Sequence, residues 1–313
     1  MGMTRTGPQL AIDTCARRLH GIDGLETGGL ADRAITWHGP ALLAPDRPAS
    51  EASVQALSGL MQVHGRDRAT PRRLGIEVAS VAAGLLAAQG GIAAAIAGLR
   101  GQPASAGHTS VLQAGLILLS HYFVVATGLG DAVPGPPLPA PGPPFRSADG
   151  RWFEIETLDA EPWKEFWTIL GAADADLGRG WTVFRWRYER ATCSLPTGLH
   201  DAAARYPLSE LRRFAAAAEV SLTPLRGYAE VMAEPGPGGD VPTLRTHVGP
   251  VAERTGGAGA AADTSSLPLA GIRVVEATSR IQGPFAGMLL RMLGADVVRV
   301  QPPEGDYGRA ALC

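Results

Sequence analysis

The sequence predicts an α/β protein with a parallel sheet and a second, smaller α+β module, and three stretches carry that prediction. Residues 271–278, GIRVVEAT, form a β-branched run of the length of a buried strand. A Gly-Pro turn, a compact apolar helix, Gly294 and a second run from Asp296 to Gln301 follow, so residues 267–313 read as a βαβ unit. Residues 77–101 are small and apolar, with no charge from Val78 to Leu99, which is the pattern of a buried helix. Residues 145–157, FRSADGRWFEIET, place the turn signal Asp149-Gly150 before an alternating strand, the pattern of a hairpin. Parallel sheets are covered on both faces by helices. The terminal βαβ unit must therefore dock on something, within this chain or in another.

Taken in order, residues 1–50 show scattered charge and no clean periodicity. SEASVQALSGLMQVHG then sets Val54, Leu57, Leu60 and Met61 at helical spacing, with Ser50 as the N-cap. In the apolar helix of 77–101, the many Ala and Gly side chains let neighbouring backbones approach closely. TSVLQAGLILLSHYFVVATG, 109–128, reads as another buried helix. AVPGPPLPAPGPP, 132–144, is an extended linker, and AEPWKEFWTILG an amphipathic helix stopped by Gly171. The partition is thus 1–131, with 1–35 the least legible part; the linker 132–144; a small α+β domain over 145–235; a return segment and Gly/Ala-rich linker over 236–266; and the βαβ unit over 267–313.

Bulk properties narrow the partners. At 313 residues, with 45% hydrophobic and 19% charged, the chain has room for about two ordinary globular domains. A formal net charge of -2 gives no reason to expect nucleic acid. Cys15, Cys193 and Cys313 are far apart and lack CxxC spacing, so neither a disulfide framework nor a zinc site is expected. His64, His108 and His121 lack metal-ligand spacing as well. The chain reads as having no membrane span and no secretory signal, hence as cytoplasmic. MGMTRT matches the myristoylation pattern, a short one often met by chance. Trp163 and Trp167 share a helix face and read as core, whereas RGWTVFRWRYER, 179–190, reads as a solvated arginine surface or as one that contacts a partner or acid groups.

These stretches together resemble a family III CoA-transferase of the CaiB/BaiF type. LPLAGIRVVEATSRIQGPFAGMLLRMLGADVVRVQPPEGD is similar to the start of that family's chain. GPALLAPDRPASEASVQALSGLMQVHGR resembles a segment about a quarter of the way along it, and GIEVASVAAGLLAAQGGIAAAIAGLRG its central helix. FRSADGRWFEIETLDAEPWKEFWTILG and EVSLTPLRGYAEVMAEP resemble the beginning and end of its small domain. The order departs from the family's, since its opening βαβ stands here at the C-terminus. The resemblance therefore implies a partial or permuted large domain with a parallel sheet, a small α+β domain and a tethered βαβ.

The resemblance also implies coenzyme A as ligand, an acyl-CoA substrate, and a site shared between chains in a homodimer or a hetero-oligomer. At the central-helix position where the family carries an aspartate, this chain has Ser80. In the transferases that carboxylate attacks the thioester, and in the related α-methylacyl-CoA racemases it takes part in proton transfer; a serine hydroxyl does neither without a base. The nearest acid in sequence is Glu77, which either substitutes or marks the helix start. By the same resemblance, Ile281, Gln282 and Gly283 line the CoA site at the start of a helix; without it, Gly283-Pro284 is a helix-start turn. No metal is expected. The functional expectation is an acyl-CoA enzyme of the CoA-transferase superfamily; the alternatives are a non-catalytic CoA-binding scaffold or inactive partner subunit and, less well supported, a racemase relative.

Overall fold

The computed structural model describes residues 8–19, 35–38, 49–102, 107–128, 141–233, 267–279, 281–303 and 305. The N-terminal MGMTRT, most of 1–35, the linker as far as residue 140 and the return segment with its Gly/Ala-rich linker, 236–266, lie outside them. In chain order the elements are α1 (Gln9–Leu19), β1 (Ile35–Thr36), α2 (Glu51–Ser58), α3 (Leu60–His64), α4 (Val78–Leu99), β2 (Thr109–Ser110), α5 (Val111–Leu118) and α6 (Ser120–Gly128). There follow β3 (Phe145–Arg146), β4 (Trp152–Glu156), α7 (Ala160–Ile169), α8 (Asp174–Phe184), α9 (Arg187–Arg190), α10 (Thr197–Ala203) and α11 (Leu208–Ala217). β5 (Ser221–Pro224), α12 (Tyr228–Ala233), β6 (Arg273–Glu276), α13 (Gln282–Met292) and β7 (Asp296–Arg299) complete the order. The chain divides into two units, residues 1–135 with 261–313, and residues 136–260.

In the first unit, Ser50 caps α2 by accepting a hydrogen bond from the Ser53 amide at 3.2 Å. The single helix expected after it is two, because Gly59 adopts φ 91° and ends α2. The break also changes which side faces inward. Val54 and Leu60 are buried, but Leu57 is 53% exposed, and the polar Glu51 and Gln55 turn into the core. Such groups are buried only where they find hydrogen-bond partners, and those partners lie at the start of α4.

Along α4 the buried side chains are Ala, Gly and Ser, and a Cβ at Gly84 would collide with the Ala11 carbonyl and Thr14 of α1. Small residues thus let two helices pack backbone to backbone. Val81 and Leu85 on another side of α4 stay exposed, so the helix is buried along one face only. By length and composition Val78–Leu99 is a helix that could cross a membrane, contrary to the sequence reading. A core helix passes the same test, and α4 contributes Ala79, Ala83, Ala87 and Ala88 to the core of this unit. The run 109–128 is likewise two helices, with Phe123 and Val124 exposed.

Two parallel strand pairs belong to this unit, and they form separate sheets: β1 with β2, and β6 with β7. The β6–α13–β7 unit docks on the C-terminal half of α4, where Leu269, Ala295 and Val297 pack with Ala93 and Ile96. The sheet alternates, as strands must: Val274 and Val297 turn inward, while Val275 and Val298 are 66% and 46% exposed on the other face.

The second unit is a three-stranded antiparallel sheet, β3-β4-β5, over a helical layer. The hairpin pairs Phe145 with Phe153 and turns at Gly150, φ 79°. Trp163 and Trp167 lie fully in the core with Phe145, Phe153, Phe166 and Phe184, and the Trp163 indole N–H donates to the Leu177 carbonyl at 3.2 Å. Of the two readings of 179–190, Arg187 follows contact with an acid group and not the solvated surface. Its side chain is 9% exposed, pairs with Glu156 at 2.8 Å and lies over the Phe184 ring at 3.7 Å.

Candidate functional site

Ser80 sits in the first turn of α4, 2% exposed. Helix starts leave backbone N–H groups without partners inside the helix. Here the first residue of α2 satisfies them. One carboxylate oxygen of Glu51, Oε1, accepts from the Ala79 amide at 3.0 Å and from Gln55 Nε2 at 3.0 Å. The other, Oε2, accepts from the Ser80 amide at 2.9 Å and from Ser80 Oγ at 2.7 Å. Gln55, itself fully buried, extends the network: its Nε2 also donates to the Ile76 carbonyl at 2.9 Å and its Oε1 accepts from the Leu74 amide at 2.9 Å. The segment 74–80 is therefore stitched to α2 by two side chains.

This arrangement caps a helix and holds a hydroxyl still. The proton of Ser80 Oγ is directed at a carboxylate whose oxygens already accept three other hydrogen bonds. No histidine hydrogen-bonds Ser80 or Glu51 among the described residues, so the usual partner of a nucleophilic serine is missing from this contact. Glu77 does not take that place. It precedes the first helical residue at φ −92°, ψ 59°, its side chain makes no capping bond, and it is exposed where Ser80 is buried. A shared face at three-residue spacing requires both residues to be helical, and Glu77 is not.

Ile281, Gln282 and Gly283 lie at the junction of the β6 loop with α13. Ile281 is the N-cap residue and is exposed, as is Gln282, the first residue of the helix. Gly283 is shaped by packing, since a Cβ there would collide with the Thr278 side chain. One turn on, a Cβ at Gly287 would collide with the carboxylate of Glu276. Glu276 is nearly buried, accepts from Thr278 Oγ1 at 3.0 Å and pairs with Arg299 at 3.2 Å. The side chain of Ser80 bonds to Glu51 and not to this loop.

Sequence reasoning missed Glu51, Gln55 and Glu276. Glu51 lies 29 positions before Ser80, and no periodicity connects two helices across a loop. The available signal was a buried-face position filled by a glutamate directly after an N-cap serine. The two described cysteines are not activated thiols: burial raises Cys15, and burial pushes Cys193 up to about 12. Among the described residues no cluster of His, Cys, Asp and Glu is placed to hold a metal ion.

Comparison with known proteins identifies the lineage. Residues 37–239 and 269–312 match the family described as CoA-transferase family III. A succinate–glutarate CoA-transferase of Agrobacterium fabrum is 53% identical over 38 residues, 12% of this chain and 10% of the relative. A succinyl-CoA–L-malate CoA-transferase beta subunit of Chloroflexus aurantiacus is 52% identical over 42 residues, 13% of this chain and 10% of the relative. The matched stretches thus span about a tenth of these relatives' length. Among solved structures, a CaiB/BaiF family protein from Brucella suis aligns at 18% identity and TM-score 0.46, over 74% of this chain and 66% of that one. A hypothetical protein from Mycobacterium tuberculosis aligns at 17% identity and TM-score 0.48, over 64% and 55%. The family match includes both the helix that carries Ser80 and the strand–loop–helix that carries residues 281–283, and extends over well more than half the sequence. By that breadth the chain belongs to CoA-transferase family III.

Proposed function

We propose that this chain binds an acyl-CoA thioester without forming the acyl-aspartyl adduct of its family, in a site completed by another chain. The observation that carries this reading is residue 80: a buried serine hydroxyl donating to Glu51, where the resemblance places a carboxylate nucleophile. The carboxylate beside that alcohol already accepts three other hydrogen bonds and caps the helix, so residue 80 itself supplies neither a covalent carboxylate nor a proton acceptor. A racemase would need the same missing group. The test is intact-mass analysis and peptide mapping after incubation with acyl-CoA, together with native mass spectrometry in CoA. An oligomer that gains one CoA mass per chain, with no covalent modification, is the expected result. An acyl or CoA adduct mapped to Ser80 or Glu51 overturns the non-catalytic reading.

A second reading, a transferase whose carboxylate comes from a partner chain, is favoured by the bare outer face of the β6–β7 pair. A parallel sheet uncovered on one face is incomplete, and one relative is named as a beta subunit. CoA exchange between acyl donors that appears only when this chain is mixed with an aspartate-bearing homologue would establish that reading.

A further inference from the structure

Residues 141–144, PGPP, close the Pro-rich run that precedes β3, and two donors fasten them on a single carbonyl. The Leu195 amide donates to the Pro141 carbonyl oxygen at 3.0 Å, and His200 Nε2 lies 3.2 Å from the same oxygen. A carbonyl only accepts, so Nε2 carries the proton of the neutral ring. A Cβ at Gly142 would collide with the Cys193 carbonyl, which sets the strap flush against the segment 193–195. Leu195 and Phe145 are fully buried, and the His200 ring packs on Phe145 with 4.9 Å between centroids. Every one of these residues belongs to the unit 136–260.

His200 is the titratable member of this clamp. Its neutral ring meets the carbonyl with the one N–H it has, whereas the imidazolium carries a second N–H at Nδ1. Burial holds its pKa below the ordinary histidine value, although the Pro141 carbonyl and Asp201 both favour the charged ring. Charges on the elements packed around α10 are engaged elsewhere. From α8, the Asp176 carboxylate crowds Gly198 but pairs with Arg179 at 2.8 Å. From β3, Arg146 lies over the Trp152 ring at 5.8 Å. Burial pushes the Cys193 thiol up to about 12, so it stays neutral. A folded-state pKa below the unfolded one gives a contribution that is complete above the group's ordinary value. That contribution is lost as pH falls through the lowered value.

We propose that residues 141–144 are an acid-releasable strap, docked on the Leu195 amide and the neutral His200 ring near pH 7.5 and freed near pH 5. Freeing it adds four residues to the tether between α6 and β3, about 13 Å of extended chain. The strap stands independently of the acyl-CoA reading.

The experiment is amide hydrogen exchange of the full chain at pH 7.5 and pH 5, read residue by residue and corrected for the intrinsic pH dependence. The Leu195 amide reports the strap, and the Val220 amide, bonded to the Ala215 carbonyl at 2.8 Å, reports the core of the same unit. In the wild type the Leu195 rate relative to Val220 should rise at least about threefold at pH 5. His200→Gln keeps a donor that does not titrate and should abolish the rise. Asp201→Asn removes an exposed charge that favours the imidazolium and should move the rise to lower pH. A ratio that is the same at both pH values overturns the strap, as does a rise of equal size in His200→Gln. A rise whose midpoint does not move in Asp201→Asn shows that another group titrates, and overturns it too.

Discussion

In residues 141–233 the core is aromatic: Phe145, Phe153, Trp163, Phe166, Trp167 and Phe184 are all buried, beneath a sheet whose strands pair in sequence. In the other unit alanine is the commonest core residue, most of it on α1 and α4, no aromatic ring is among the buried core residues, and two strand pairs sit apart with valines exposed on one of them. The difference is one of self-sufficiency. Large rings bury much apolar area per residue and fill space in many directions. Alanine and glycine bury little, but they allow close backbone approach and fix the geometry around Glu51 and Ser80. The aromatic unit is built to hold itself together, whereas the alanine-rich unit positions a site and leaves apolar surface open.

Substitutions can break or sharpen this contrast. The largest expected effect is Trp167→Ala, which empties the aromatic core and costs about 3–5 kcal/mol. Chemical denaturation measures it, with Cys193 labelling as a local reporter, because burial pushes that thiol up to about 12 and keeps it unreactive until the unit opens. If the loss is under 1 kcal/mol by this measure, the aromatic cluster is not what holds the unit. Next comes Glu51→Ala, which leaves the Ala79 and Ser80 amides without a partner and costs about 1–3 kcal/mol. Ser80→Ala removes one hydroxyl bond and should cost about 1 kcal/mol. A result in which Ser80→Ala is the more damaging of the two would mean that the carboxylate is not the anchor.

Replacing Ser80 by aspartate sharpens the same point. It sets a second carboxylate against Glu51, and like charges at that separation repel more as both ionise. Stability of Ser80→Asp should therefore fall as pH rises from about 5 to about 8, relative to Ser80→Asn; thermal melts across that range would show it. Gly287→Ala drives a methyl into the Glu276 carboxylate and should cost about 1–3 kcal/mol in the βαβ unit, read by hydrogen exchange of β6 and β7. The smallest effect is expected for Val275→Thr, within about 0.5 kcal/mol if its face meets only water. A larger loss that grows with protein concentration would show instead that another chain covers those valines.

Much of the local structure was legible in sequence. Ser50 as an N-cap, the turn at Asp149-Gly150, the stop at Gly171 and the strand–helix–strand of residues 273–299 each follow from signals within a few residues. The break at Gly59 was not, although the glycine was in view, because only its left-handed conformation reveals it. The exposure of Leu57 and the burial of Gln55 follow from that break. For the site, Ser80 and residues 281–283 could be singled out by resemblance, but what surrounds them could not.

The sequence by itself determined the periodicities, the caps and turns, the α/β class, and the serine at position 80. These depend on neighbours along the chain, whose geometry the backbone fixes. The tertiary structure decided that Glu51, and not the nearer Glu77, meets that serine, that Gln55 ties Leu74 and Ile76 to the same network, and that Glu276 fills the space above Gly287. Those are pairings across loops and between helices, where partners are chosen by packing and by the need of buried polar groups for hydrogen bonds.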